Sequence, residues 1–368
     1  MFDAAIIGAG PAGAAASRLL AKAGWSVALI EKADFPRRKV CGEFISATTM
    51  PVLEACGIVP TFLTAAGPPV THVGVYAGDA ALVSPQARHW GRALGREHLD
   101  TLLRDAAMAA GAQIFQPAEL VALDRQPGGF ACTLDTGARI EARKVIAACG
   151  SWNGKGVFAV RAPDACASDL LAFKAHFRAT RLPHGLMPLL AFPGGYGGLV
   201  HTDDGRTSLS CCIRRDMLVA VRARHGGKAG EAVLAHIIAT TRGVADALQG
   251  AGLEGAILSA GPIQPGIRPR HDKDVFFTGN SAGEAHPVIA EGISMAIQSS
   301  GLLARLLIAA REDEYAAIWH RRFAPRIHAA SLFAHLAMNG PGRAVSLAAI
   351  RAFPAVLDWG ARLSGKAA

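Results

Sequence analysis

The sequence predicts an α/β fold, α+β overall: a nucleotide-type lobe built on an N-terminal βαβ unit, an antiparallel-sheet lobe inserted into it, and a helical C-terminal tail. Three observations predict it. The first thirty-one residues read strand, glycine turn, helix, strand, acid; two β-rich, Gly/Pro-punctuated excursions interrupt the middle of the chain; and Val275 to Ala310 reads strand, glycine turn, long helix, a return to the first lobe. The expected boundaries are 1–66, 95–165 and 255–320 for the first lobe, 67–94 and 166–254 for the insert, and 321–368 for the tail.

Each element has a local reason. Ala4 to Ile7 is an apolar strand, and Gly8-Ala9-Gly10-Pro11-Ala12-Gly13 turns the chain into an alanine-rich helix that Gly24 stops. Gly8 permits the tight turn, Gly10 leaves no side chain between backbone and a pyrophosphate, and Gly13 lets the helix lie close to the sheet. Val27 to Ile30 is the next strand. It ends in Glu31, about twenty residues past the glycines, where a carboxylate can accept both hydroxyls of a ribose. This is a Rossmann-type unit for an ADP moiety, with the phosphates at the positive end of the helix.

A basic turn, Lys32 to Lys39, leads into Cys41-Gly42-Glu43-Phe44 and a helix from Met50 to Cys56. Strand-like pieces at Thr71 to Tyr76 and Ala80 to Val83 belong to the insert. Arg96 opens a helix with Leu99, Leu102, Leu103 and Ala106 on one face. Strands are expected at Gln113 to Phe115, Glu119 to Leu123, Phe130 to Leu134 and Ile140 to Ala148. The insert resumes with Leu171 to Thr180, Gly194 to Val200 and Thr207 to Ile213, followed by a helical stretch from Lys228 to Leu248. Ile257 to Pro269 brings the chain back. The tail after Tyr315 is helical, with Pro325, Pro341 and Pro354 dividing it.

Composition narrows the class. With 368 residues, 51% of them hydrophobic, the chain fills two lobes. Its seven cysteines are scattered without C-x-x-C spacing, which argues against a disulfide framework and a zinc site and suits a reducing cytoplasm. Asp3 stands where a signal peptide needs a base, and no run of about eighteen apolar residues occurs. Of the net charge of +9, much lies after Tyr315, where seven Lys and Arg face only Asp358. With 6% aromatics and no nucleic-acid motif, cofactor phosphates and peripheral contact of the basic tail with a membrane are the expected anionic partners, not nucleic acid.

The late run Val275-Phe276-Phe277-Thr278-Gly279-Asn280-Ser281-Ala282-Gly283-Glu284-Ala285-His286-Pro287 is the second landmark. Taken with the G-x-G-x-x-G, the distant acid, Cys41-Gly42-Glu43, the Arg96-x-x-x-Asp100 helix and the strand ending in Cys149-Gly150, it resembles the para-hydroxybenzoate hydroxylase superfamily of flavoproteins, and within it the geranylgeranyl reductase branch. The resemblance covers residues 1 to about 310 and the tail ending Leu363-Ser364-Gly365-Lys366. It implies bound FAD and transient NAD(P)H or a partner reductase as electron donor, since no second nucleotide motif exists. Residue by residue it implies that Ala12 faces the pyrophosphate, that Cys41, Gly42 and Arg96 line the riboflavin side, and that Leu120 meets adenine. Asn280, after Gly279, reaches the ribityl chain or pyrophosphate, and Gly292 and Ile293 bring helix N–H groups to the ring.

The departures are informative. The family's aspartates are Cys149 and Asn280 here, which keeps hydrogen bonding and removes charge. The aromatic reductase signature Tyr-x-Trp is Tyr196-Gly197-Gly198, and the halogenase tryptophan motif is missing. NAD(P)H-driven hydroxylation of an apolar or aromatic molecule therefore ranks first, reduction of a carbon–carbon double bond second, and a non-catalytic flavin or lipid carrier last. His286 is a candidate acid, or a histidine bonded to a backbone carbonyl; Glu291 is a relay carboxylate, or a helix-dipole partner. Tyr196 meets a flat substrate, or is a core tyrosine.

Overall fold

The computed structural model describes residues 1–85, 91–151, 157–158, 164–272, 274–353 and 355–366. Its first lobe is organised on five parallel strands in the spatial order Val275–Phe277, Arg139–Ala147, Phe2–Ile7, Val27–Ile30, Gln113–Phe115. Residues 4–7 and 27–30 are buried throughout, as strands covered on both faces must be. Ile7 sits level with both Ile30 and Ala147, so three strands end at one edge, directly before the glycine turn. The strands Gly129–Leu134 and Leu120–Gln126 extend this sheet antiparallel from Arg139–Ala147.

The helix Pro11–Lys22 covers the edge between the helices Arg96–Ala109 and Gly292–Ile308. Small residues make this close approach possible. A Cβ on Gly13 would stand 1.8 Å from the Gly8 carbonyl oxygen, and one on Gly279 would stand 2.8 Å from Cβ of Ala12. Both glycines therefore act by bringing backbones together.

The second sheet has seven strands in the order Gly252–Ile263, Leu170–Arg178, Thr207–Arg214, Gly195–His201, Leu186–Phe192, His72–Ala77, Ala80–Pro85. Helices Arg215–His225, Ala229–Thr240 and Arg242–Ala247 pack on it over a separate apolar cluster that includes Phe173, Phe192, Leu209 and Val233. Three features depart from the sequence expectation. Strand Leu186–Phe192, which Pro188 disguises, pairs parallel with His72–Ala77, because these two strands belong to different excursions of the chain. Gly252–Ile263 stays paired with Leu170–Arg178, so the chain keeps to this sheet up to Ile263 and not only to 254. Pro325 lies inside the unbroken helix Tyr315–Met338 on its exposed side, where the carbonyl it leaves unpaired can meet water; Pro341 does begin a new helix, and Pro354 is outside the described residues.

That long helix is bound into the first lobe. Tyr315, Trp319, Phe323, Ile327, Ala330 and Ala334 form its buried face, and the Tyr315 hydroxyl donates to the Phe277 carbonyl at 2.9 Å. Trp319 is 1% exposed and fills the space above Gly283. Trp319→Ala should cost about 3–5 kcal/mol of unfolding free energy by denaturant titration, the range for emptying a buried aromatic site; a loss under about 1 kcal/mol would show that the tail does not support the lobe.

Candidate functional site

A cavity of about 570 Å³ runs between the two sheets. Gly8, Gly10 and Ala12 form its wall at the start of the opening helix, with Glu31, Cys41, Gly42, Arg96 and Leu120 around them. Asn280, Gly292, Ile293 and Tyr196 complete the lining, Asn280 following Gly279, which packs on Ala12. Twelve of the sixteen residues singled out in the sequence thus meet in one space. Gly13 and Gly279 stand behind the wall, in backbone packing contacts, and His286 and Glu291 also lie outside it.

At the glycine end the backbone makes a cradle. Gly8 takes φ +103°, and a Cβ there would press within 2.6 Å of the Ala148 carbonyl oxygen. Above Gly10 a Cβ would meet only the Arg96 guanidinium, at 3.7 Å, and would otherwise project into the cavity. Arg96 thus stands over the glycine loop, held by two 2.7 Å bonds to the Asp100 carboxylate. Ala12 and Gly13 sit in the first turn, where N–H groups have no partner four residues back.

Glu31 does two jobs. Its carboxylate accepts from the Ala9 and Ala33 N–H groups, both at 2.9 Å, which fixes the turn, and it pairs with Arg37 through both oxygens at 2.9 and 3.1 Å. Beside it, Arg37, Lys39 and Arg96 converge on the cavity. Desolvation of its ammonium and the charges of Arg96 and Arg37 push Lys39 down to about 8, with the rest of the side chain exposed. A bound diphosphate relieves that repulsion.

Under Cys41 and Gly42 lies a polar network that the sequence did not single out. Glu43, fully buried with φ 61°, pairs with Lys174 and accepts from His176 Nε2 at 2.8 Å. Arg38 reaches His176 Nδ1 at 2.8 Å on the other side of the ring. Burial opposes ionisation of Glu43, but the His176 bond and the Lys174 charge outweigh it and lower the carboxyl to about 2.

Asn280 donates its amide to Ser151 Oγ at 3.0 Å and to Glu284 at 3.2 Å, and Glu284 pairs with Arg268 at 3.2 Å. Glu284, itself a lining residue, restores a carboxylate beside the asparagine. Burial raises its carboxyl despite Ser151 and Arg268. Glu291 is fully buried, accepting from Ser46 Oγ at 3.1 Å with Lys366 Nζ at 3.5 Å. It makes no side-chain cap to the helix Gly292–Ile308, whose first residues face the cavity. His286 turns to Tyr196, with Nδ1 at 3.2 Å from the phenol oxygen. Burial depresses the imidazole to about 4 and raises the Tyr196 phenol. The wall between them and Gly42 is apolar and small, including Ala172, Met187, Leu189, Gly197 and Gly198.

A glycine cradle, a carboxylate that Ala9, Ala33 and Arg37 hold beside it, a cluster of cations and a helix N-terminus along one extended cavity fit a dinucleotide. Residues 1–155 match the family model "FAD binding domain". The chain is similar to the menaquinone reductase of Mycolicibacterium smegmatis, with 24% identity over 343 residues that cover 86% of this chain and 79% of that protein. It is also similar to the menaquinone reductase of Mycobacterium tuberculosis, with 30% identity over 157 residues, 40% of this chain and 38% of that one. Among solved structures it superposes on the flavin-dependent brominase Bmp2 with a TM-score of 0.78 at 17% identity, covering 99% of this chain and 93% of that one. The myxobacterial chondrochloren halogenase CndH gives 0.71 at 20% identity, over 88% and 79%. The family match assigns residues 1–155 an FAD-binding domain, and FAD is the cofactor that the cavity fits.

Two outcomes check the cofactor placement. Gly10→Val should keep the native circular dichroism and purify without visible absorbance; stoichiometric yellow cofactor on that variant would refute the cradle. FAD affinity should be highest below pH 8 and fall about fivefold as pH rises through about 8, because Lys39 binds the diphosphate only when protonated. Lys39→Met should flatten that profile in a fluorescence titration.

Proposed function

We propose that this protein reduces a carbon–carbon double bond in an apolar, unsaturated small molecule, with FAD held along the cavity and reducing equivalents from NAD(P)H or a partner reductase. One observation carries the reading: a proton-bearing tyrosine beside a neutral histidine, Tyr196 and His286, the tyrosine lining the cavity although its side chain is packed into the core. Similarity to a menaquinone reductase over most of the chain supports a reduction.

Adding hydrogen across a double bond takes two electrons and two protons. Reduced FAD, when bound, would supply a hydride, which is two electrons with one proton. The second comes from Tyr196, whose buried phenol keeps its proton at neutral pH. With its own proton on Nδ1, His286 donates to the phenol oxygen and stabilises the phenolate as the phenol hydrogen departs. Gly197 and Gly198 leave room for a flat or extended chain, and the surrounding apolar residues exclude water. The N–H groups at Gly292 and Ile293 favour negative charge at the ring.

Hydroxylation is the second reading, favoured because Gly197 and Gly198 replace the aromatic part of the reductase signature. Anaerobic single turnover separates the two. Photoreduced protein mixed with polyene or quinone compounds under nitrogen should return to the oxidised spectrum with formation of the saturated product, whereas a strict requirement for oxygen would establish hydroxylation, and no substrate-dependent reoxidation would leave a carrier. Tyr196→Phe should slow the anaerobic step about a hundredfold or more with FAD content unchanged; an unaltered rate would remove tyrosine from the reaction.

A further inference from the structure

The last helix, Val356–Ser364, carries an apolar stripe turned away from the protein. Val356, Trp359 and Leu363 fall on one helical face, Phe353 precedes them at the same spacing, and the four are 39, 65, 41 and 69% exposed. Among the described residues, the large apolar side chains in the exposed class include two aromatics, and both are here. The helix packs on Tyr315–Met338 and Gly340–Ala352, with a Cβ on Gly360 standing 4.0 Å from the Phe333 ring.

Charge decides what covers the stripe. Arg351 and Arg362 are exposed beside it, Arg321 and Arg322 are exposed on the preceding long helix, and Asp358 is the single acid after Tyr315. A second copy meeting this face through a two-fold axis brings the same arginines against each other. Anionic lipid head groups neutralise them while the acyl boundary takes up the aromatic and aliphatic side chains. No helix among the described residues is long and apolar enough to cross a membrane, so the contact is parallel to the surface.

We propose that Phe353 and the helix Val356–Ser364 dock this protein on an anionic lipid bilayer, with Phe353, Val356, Trp359 and Leu363 at the acyl boundary and Arg351 and Arg362 at the head groups. The docking helix is tied to the cavity. Just beyond it the Gly365 carbonyl accepts from Thr48 Oγ1 at 2.8 Å, and the buried Lys366 ammonium bonds the Ile289 carbonyl and pairs with Glu291. Val288, Ala290 and Gly292, around that anchor, line the cavity. The bilayer therefore lies on the side of the protein where this part of the cavity is built, whichever reaction takes place there.

Vesicle sedimentation of the full chain loaded with FAD tests this. Phosphatidylcholine vesicles containing phosphatidylglycerol should bind the protein, pure phosphatidylcholine should bind it about tenfold less, and high salt should release it. Trp359→Glu and the pair Arg351→Ala with Arg362→Ala should each weaken binding roughly tenfold or more, with FAD absorbance and melting temperature unchanged because these side chains are exposed. Bromine-labelled acyl chains should quench tryptophan emission in the native chain and not in Trp359→Phe. Native protein that ignores the vesicles, or Trp359→Glu that binds as well as native, overturns the proposal. So does a lipid-free dimer that Trp359→Glu disperses, which would assign the stripe to a second copy.

Discussion

One buried carboxylate holds the two sheets in register. Glu43 belongs to the loop after the basic turn, yet its partners Lys174 and His176 stand on a strand of the second sheet, and all three are inaccessible to solvent. A charge taken out of water is costly unless its partners are in place, so the loop can close only where that strand offers a cation and a donor. The left-handed backbone of Glu43 is retained because the pairing over-determines it. Cys41 and Gly42 inherit their position from this bond set. A second polar contact, between the Gly95 N–H and Asp203 at 2.8 Å and between Arg206 and Glu97 at 2.8 Å, fixes the start of the Arg96 helix against the same lobe.

With the lobes fixed, the cavity between them divides by chemistry. The glycine end uses backbone and permanent cations, and its carboxylates, Glu31 and Asp100, are bonded to arginines, so they position those cations and add little free negative charge. Around Tyr196 the lining is small glycines and apolar side chains, with the phenol and the neighbouring His286 kept neutral by burial and the Glu284–Arg268 pair close by.

The C-terminal helices are part of this construction. Trp319 packs over Gly283, next to the late loop, and Lys366 pairs with Glu291 directly before the helix whose first residues line the cavity. The basic excess of the tail is thus divided between a buried lysine that anchors it and exposed arginines that face outward. Charge counted along the sequence cannot make that distinction, because it depends on which side of each helix is covered.

Much of the first lobe was legible because its signals are local. The turn at Gly8 to Gly13, the acid at Glu31 and the helix starts at Arg96 and Gly292 follow from residue type and spacing over a few turns of chain. The strand Leu186–Phe192 was hidden by Pro188 and by a continuous apolar run without alternation. The role of Glu43 was hidden because its partners are more than a hundred residues away. His286 and Glu291 were found as titratable groups beside the ring-facing helix, but spacing could not say which way either side chain points. Sequence by itself determined the glycine turn, the helix start after it and the acid that ends the second strand, since tight turns and helix ends are short-range properties of the chain. Only the tertiary structure decided which groups surround Tyr196 and which charges are buried, because those depend on how two sheets cross, and no local pattern encodes a crossing.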